Sequence, residues 1–429
     1  MNMPLQRRKL IKASLLSLIV RIIGAVLSLF FMSVIARQLG VAESGLFFLA
    51  MNLILFISVV ARVGLDNTVL RFCAAAQAGG TQGEARDVLH KGLGLSICSA
   101  GGLALICMLG SELIARFCFD KPELAEVIMY MSPAILGVAL YSLIAMGLQG
   151  WGRITAAIFV LNIQVFVLAL LLTLWVQPVR AAQVGGIFSM SALFTAMFSY
   201  LIWHKWVFRD STACASQISW SKIFASCKPL WLVAIMGQLT QFSGLFVAAA
   251  WVAPEQLAQL ATAQRMAMLI SFVLIAVNFV VAPKFAALHK LGDSAGLQSL
   301  ALYSVRLMLV VSLPLLFPIL MFPELIMSFF GTGFSDGGYL LQIFAVGQFV
   351  NVFTGSVVFI LSMSGNEKAL RNCVLVSGPF AILMNLIFVP LWGALGCAVA
   401  TALAITVQNL LAVRLVNKHI GFNTLAFWK

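Results

Sequence analysis

Apolar residues in this chain come in unbroken runs and not in alternation. Stretches such as Val165 to Leu172 are hydrophobic on every face, which excludes the every-second-residue pattern of a membrane β-barrel strand. Runs long enough to carry one helix across ~30 Å of hydrocarbon fall near residues 15–35, 46–62, 93–110, 127–148, 154–176, 184–202, 230–251, 267–286, 305–322, 339–361, 373–391 and 395–416. Inside lipid such segments satisfy their own backbone groups only as helices. The pattern predicts an all-α polytopic membrane protein of about twelve transmembrane helices.

Composition sharpens this picture. The chain is 62% hydrophobic and 10% charged, with mean hydropathy +1.04, where a soluble domain has roughly 45–50% and 25%. A soluble catalytic domain, a disordered protein, a collagen-like fibre and a disulfide scaffold are all excluded. The net charge of +13 would suggest nucleic acid in a soluble protein, but here it reports topology. With the N-terminus inside, 21 Lys and Arg fall in inward segments and five in outward ones, the bias expected of inner loops. No nucleic-acid partner is expected, and both termini are placed in the cytoplasm.

Trp151, Trp175, Trp203, Trp206, Trp231, Trp251 and Trp392 sit at span ends, where amphipathic rings favour the headgroup layer. His90, His204, His289 and His419 read as solvated inner-segment residues, and the eight cysteines show no CxxC pair, so neither metal nor cofactor is expected. Arg7-Arg8-Lys9 before an apolar run imitates a signal peptide, but that run is too long and carries Arg21. It reads as a retained first helix.

The two halves echo one another. Val41-Ala42-Glu43 matches Ala253-Pro254-Glu255 at a shift of 212, Gly150 and Arg153 match Gly365 and Lys368 at 215, and Pro178 matches Pro390 at 212. This predicts a six-helix lobe over residues 1–206, a cytoplasmic linker over 207–228 and a second six-helix lobe over 229–429, related by a pseudo-twofold axis along the membrane normal. Such a machine opens a central cleft alternately to either side. Ser14, Ser17, Arg21, Gly24 and Ser28 form one polar stripe on the first helix, and Gly237, Gln238, Gln241, Gly244 and Ala248 form its counterpart on the seventh. The amides Asn52, Asn162, Gln164, Asn278, Gln348, Asn351, Asn385 and Asn409 also lie inside spans, where they can meet sugar hydroxyls or glue helices together.

No Asp or Glu lies inside any of these spans, and the charge buried among them, Arg21, is positive. A cation at that depth is costly unless it faces water or an anion. Cationic cargo is thereby disfavoured, and a phosphate or pyrophosphate suits a two-pronged guanidinium.

Arg21-Ile-Ile-Gly24 leading to Ala36-Arg37-Gln-Leu-Gly40, Val63-Gly64-Leu65 with Arg71, Ala263-Gln-Arg265, Val281-Ala-Pro283-Lys284-Phe285, Gly365-Asn-Glu-Lys368 and Asn385 through Pro390 to Gly396 follow in order along the chain. In this it resembles the Wzx-type oligosaccharide and polysaccharide flippases, of the superfamily that also holds lipid II flippases and multidrug and toxin extrusion transporters. The resemblance implies a flippase, not an enzyme. It would move undecaprenyl-pyrophosphate-linked oligosaccharide, a repeat unit of O-antigen, exopolysaccharide or capsule, from the cytoplasmic to the outer leaflet by alternating access. The implied partners are that lipid-linked glycan, membrane lipids, a polysaccharide polymerase and a chain-length regulator.

It implies a central cavity in which Arg21 and Arg265 meet the pyrophosphate, with Arg37 a third cation; Ser28, Gln238, Gln241, Asn52, Asn278, Gln348 and Asn351 are its polar candidates. Relatives often carry an Asp in the seventh helix where this chain has Gln241-Phe-Ser243-Gly244, which sets sodium coupling there in doubt. Gly331-Thr-Gly333 has no following basic residue and reads as a plain turn. Two alternatives remain: an ion-coupled small-molecule or drug antiporter of the same superfamily, and a membrane polymerase or glycosyltransferase. The latter is disfavoured by an outer segment of only some sixteen residues, about 111–126.

Overall fold

The computed structural model describes residues 3–79, 82–207 and 219–426. Among them there is no strand, and nine helices are long and apolar enough to cross a membrane. The two longest are each a pair of spans. Gly40 (φ +78°) interrupts Met3–Ala61 and Gly393 (φ +57°) interrupts Glu367–Ile420. Both angles lie where a Cβ is disfavoured, so glycine lets the chain change direction there without a loop. With the shorter apolar helix Ala234–Ala249, the described residues hold twelve spans. The protein is an all-α multi-pass membrane protein.

The chain forms two compact units, Met1–Ile235 and Met236–Lys429. Unit 1 contains α1 (Met3–Ala61), α2 (Leu65–Gly79), α3 (Gln82–Leu109), the single turn α4 (Ser111–Leu113), α5 (Leu124–Met131), α6 (Pro133–Gly150), α7 (Ile154–Phe159), α8 (Val165–Val176), α9 (Ala181–Val207) and the first turns of α10 (Trp220–Ala249). A π turn, Val160–Gln164, joins α7 to α8. At the centre stands α6, packed on α2, α3 and α9. Its first residue is Pro133, at the position where a missing N–H costs nothing. Small residues then let backbones approach: a Cβ on Gly137 would stand 2.7 Å from the Ala192 carbonyl carbon of α9.

Two aromatic expectations change. Trp203, expected in the headgroup layer, is fully buried against Gly147 of α6; its indole fills space that a glycine leaves open, and that apolar burial outweighs the interfacial preference. His90, expected to be solvated, is held between helices, with Nδ1 2.8 Å from Arg86 O and Nε2 3.2 Å from the Tyr200 hydroxyl on α9. The turn from α1 to α2 is fixed by Arg62, which pairs with Asp66 at 2.8 Å. On this turn lies the start of α10, where Trp231 Nε1 donates to Val60 O (3.0 Å) and the Cys227 thiol to Thr68 Oγ1 (3.4 Å). Thus α10 begins inside the 207–228 segment, of which residues 208–218 lie outside the described part.

Unit 2 contains the rest of α10, then α11 (Pro254–Lys290), α12 (Ser294–Met321), α13 (Pro323–Ser328), α14 (Gly338–Phe353), α15 (Val357–Met363) and α16 (Glu367–Ile420). Here α11 and α14 form the centre, and α14 crosses α16 where Gly347 faces Ala402. Asp293 caps α12 by accepting the Gly296 N–H at 2.8 Å, supplying one of the acceptors a helix start lacks. One boundary departs widely from expectation: α11 starts at Pro254, not near 267. Gln256, Gln259, Gln264 and Arg265 lower the hydropathy of its first turns, yet Leu257, Ala258, Leu260, Ala261 and Ala263 are buried there. Packing holds the helix where polarity alone suggests a loop. Gln259 uses its amide to donate to Gly333 O (2.7 Å), which pins the Gly331-Thr-Gly333 turn.

Candidate functional site

In unit 1 the site is built from α1. Residues 21, 24, 28, 31 and 35 recur at helical spacing and share one face. Gly24, Phe31 and Ile35 on that face are buried, whereas Ile22, Ile23, Val26 and Phe30 on the others are 46–60% exposed. Arg21 is partly buried and shares its face with the buried residues of α1. One turn on, Gly24 packs directly on Asn162 of the π turn. Asn162 Nδ2 donates back to Ile158 O (3.1 Å), and Ser28 Oγ donates to Ala25 O (2.8 Å). The side chains of Ser14 and Ser17 lie outside the described residues.

In unit 2 the site is built from α10, α11 and α14. Gln264, Met268, Ser271 and Asn278 make a helical stripe on α11, with Arg265 beside it. Gln264 Nε2 donates to Gln241 O (2.9 Å), and Gln241 Nε2 points at Met268 Sδ (3.8 Å). Further along, Ser271 donates to Gln348 Oε1 while Asn351 Nδ2 donates to Ser271 Oγ (3.3 Å). Ser271 is therefore the hub that joins two predicted amides, and sequence reading passed over it. Its register seven residues before Asn278, in line with Gln264 and Met268, was the available signal. Gln238, partly buried, lies three residues before Gln241 on α10. Asn278 is 1% exposed and neither amide atom has a hydrogen-bond partner among the described residues.

The structure therefore gathers Gln241, Gln348 and Asn351 around the α11 stripe. It spreads others apart. Arg37 is exposed and sixteen residues beyond Arg21, about 24 Å at 1.5 Å per residue, so the two guanidiniums do not share one phosphate along a straight helix. Asn52 is buried and donates to its own helix at Phe48 O (2.8 Å).

Electrostatically the candidate residues of each unit carry one sign. Every Asp and Glu among the described residues lies in a turn or within the first two turns of a helix. Arg21 and Arg265 lie three or more turns inside α1 and α11, and neither has an ion pair among the described residues. Arg306, also well inside a long helix, is exposed. No group of three or more His, Cys, Asp or Glu suited to a metal occurs among the described residues. Unpaired guanidiniums of this kind can bind an anion by two parallel N–H bonds.

A profile described as "Polysaccharide biosynthesis protein" matches residues 10–289. The chain belongs to the polysaccharide biosynthesis protein family. Among curated proteins none matches it. Solved structures share the fold of this family member over nearly its whole length. One is an inward-facing multidrug resistance MATE family transporter of the MOP superfamily, with TM-score 0.76, 14% identity, and coverage of 95% of this chain and 98% of that one. Another is the lipid II flippase MurJ in an inward closed conformation, with TM-score 0.72, 15% identity, and coverage of 96% and 91%. A third is a MOP superfamily transporter from Pyrococcus furiosus, with TM-score 0.70, 16% identity, and coverage of 97% and 96%. Its binding pocket is described as having reverse polarity, suggesting a different function. The chain thus shares the fold of these transporters.

Proposed function

We propose that this protein is a flippase that moves undecaprenyl-pyrophosphate-linked oligosaccharide from the cytoplasmic to the outer leaflet of the bacterial inner membrane, both termini inside. One observation carries the reading: among the described residues, arginines and no carboxylates stand deep in the long apolar helices. A buried cation is stable there when a counter-anion visits it, and the pyrophosphate is that anion. Membership of the polysaccharide biosynthesis family supports a glycan as the remainder of the cargo. Arg21 and Arg265 hold the pyrophosphate; Gln238, Gln241, Gln348 and Asn351 offer amides to the sugars, with Ser28 and, farther along α1, Arg37 as further lining. Residues 1–206 and 229–429 act as the two rocking lobes.

The test is Arg21→Ala and Arg265→Ala in a cell that lacks its own flippase, read as surface glycan, with fluorescent lipid-linked sugar crossing proteoliposomes as the direct assay. Each lost charge-assisted contact is worth about 1.5–3 kcal/mol, so flipping falls by about tenfold or more while membrane insertion is kept. Unchanged polymer from both variants overturns the proposal. The fold shared with MATE transporters favours equally an ion-coupled antiporter of small molecules, and gradient-driven dye efflux from the same vesicles would establish that reading instead.

A further inference from the structure

Two cavities at one end of unit 1 share part of their walls. The first, about 590 Å³, is lined by apolar side chains of α8 and α9, among them Ile187, Met190 and Phe194, together with Glu126 and Arg180. The second, about 470 Å³, is lined by Glu112 and Glu123 and again by Glu126 and Arg180. The shared residues mark where an apolar groove meets a charged pocket. Glu43 also lines the second cavity, but its Oε2 accepts the Ala181 N–H at 2.7 Å and so serves the start of α9. Glu112, Glu123, Glu126 and Arg180 have no ion pair among the described residues. At the same end Trp175, the penultimate residue of α8, is 82% exposed, as suits a ring in the headgroup layer.

A cleft that is apolar along one arm, and carries an unpaired cation beside unpaired carboxylates along the other, complements a molecule with the same division. We propose that this double cleft binds one zwitterionic phospholipid with a primary ammonium headgroup. Its phosphate meets the Arg180 guanidinium, its ammonium donates to Glu126 and Glu123, and one acyl chain lies along Ile187, Met190 and Phe194. A wholly anionic lipid would bring its charge against three carboxylates. A quaternary ammonium has no N–H to donate to them. The site is independent of the transport reading, because it uses none of the deep arginines.

Gly186 supplies a clean block. It lines the apolar arm, and a Cβ placed on it meets nothing within 4 Å, so Gly186→Phe starts its side chain without a clash and directs bulk at the groove. The full chain, purified in detergent, is titrated with phosphatidylethanolamine, phosphatidylcholine and phosphatidylglycerol, and bound lipid is counted by native mass spectrometry. The expected result is phosphatidylethanolamine favoured over the other two by about tenfold, or about 1.4 kcal/mol. Glu126→Gln abolishes its advantage over phosphatidylcholine, Arg180→Ala weakens both zwitterionic lipids, and Gly186→Phe removes this bound lipid altogether. Equal retention of phosphatidylglycerol, no retention of phosphatidylethanolamine, or retention that survives Gly186→Phe each overturns the proposal.

Discussion

Gly24→Ala tests the packing that presents Arg21. A Cβ at residue 24 would stand 2.6 Å from Asn162 Cβ and 2.7 Å from Asn162 O, against roughly 3.5–4.0 Å for an unstrained contact. Because one of those atoms is backbone, no rotamer change relieves it, and α1 or the π turn must yield by about 1 Å. Alanine gains about 1 kcal/mol over glycine in a helix, while overpacking costs about 1–3 kcal/mol. The fixed backbone oxygen puts the clash in the upper part of that range, so the net loss is about 1–2 kcal/mol. The repeat supplies a control: Gly237 stands 213 positions on from Gly24, and a Cβ there meets nothing within 4 Å. In detergent, Gly24→Ala should lower the midpoint of thermal unfolding by a few degrees and Gly237→Ala should leave it unchanged or raise it. Equal midpoints for the two variants would refute the close approach of α1 to Asn162.

Cysteine labelling offers a second check: Cys118 is exposed, whereas Cys73 is buried in α2 and burial pushes its thiol up to about 12. With each as the sole cysteine at pH 7.5, a maleimide should modify Cys118 and leave Cys73 unreacted, since the thiolate is the nucleophile; an impermeant reagent reaching Cys118 in intact cells would also support the proposed orientation. Arg62→Ala strands Asp66 in a largely buried turn, the two side chains being 10% and 26% exposed. It should cost about 1–2 kcal/mol, discounted from the 3–5 kcal/mol of a fully buried pair, and Arg62→Leu with Asp66→Leu should recover part of the lost thermal stability. An unaltered melting curve for Arg62→Ala would show that the pair does not hold the turn.

The twelve spans were legible because each must bury about twenty apolar residues, a signal that neighbouring helices cannot mask. The failures are local and share a cause. Hydropathy placed the start of α11 thirteen residues late because it scores Gln259 and Arg265 as loop-like, and it cannot register that Gln259 finds Gly333 O. Trp203 looked interfacial by position, and only the facing Gly147 explains its burial. The polar stripes were readable from helical spacing alone. What spacing does not carry is which side of a stripe meets a neighbour, so Gly24, read as part of an open face, packs on Asn162 instead. Ser271 was missed because its one signal, the register it shares with Gln264, Met268 and Asn278, names no partner until Gln348 and Asn351 of α14 come beside it.

Gly40 and Gly393 each join two membrane spans with no intervening loop. Such a corner has no slack. When the first helix of either pair tilts, its neighbour in sequence receives the torque directly, for no tether exists to absorb it. Length polymorphism, epitope tags and protease sites should be tolerated poorly at these two corners, where even one added residue would rotate every side chain beyond it by about 100°.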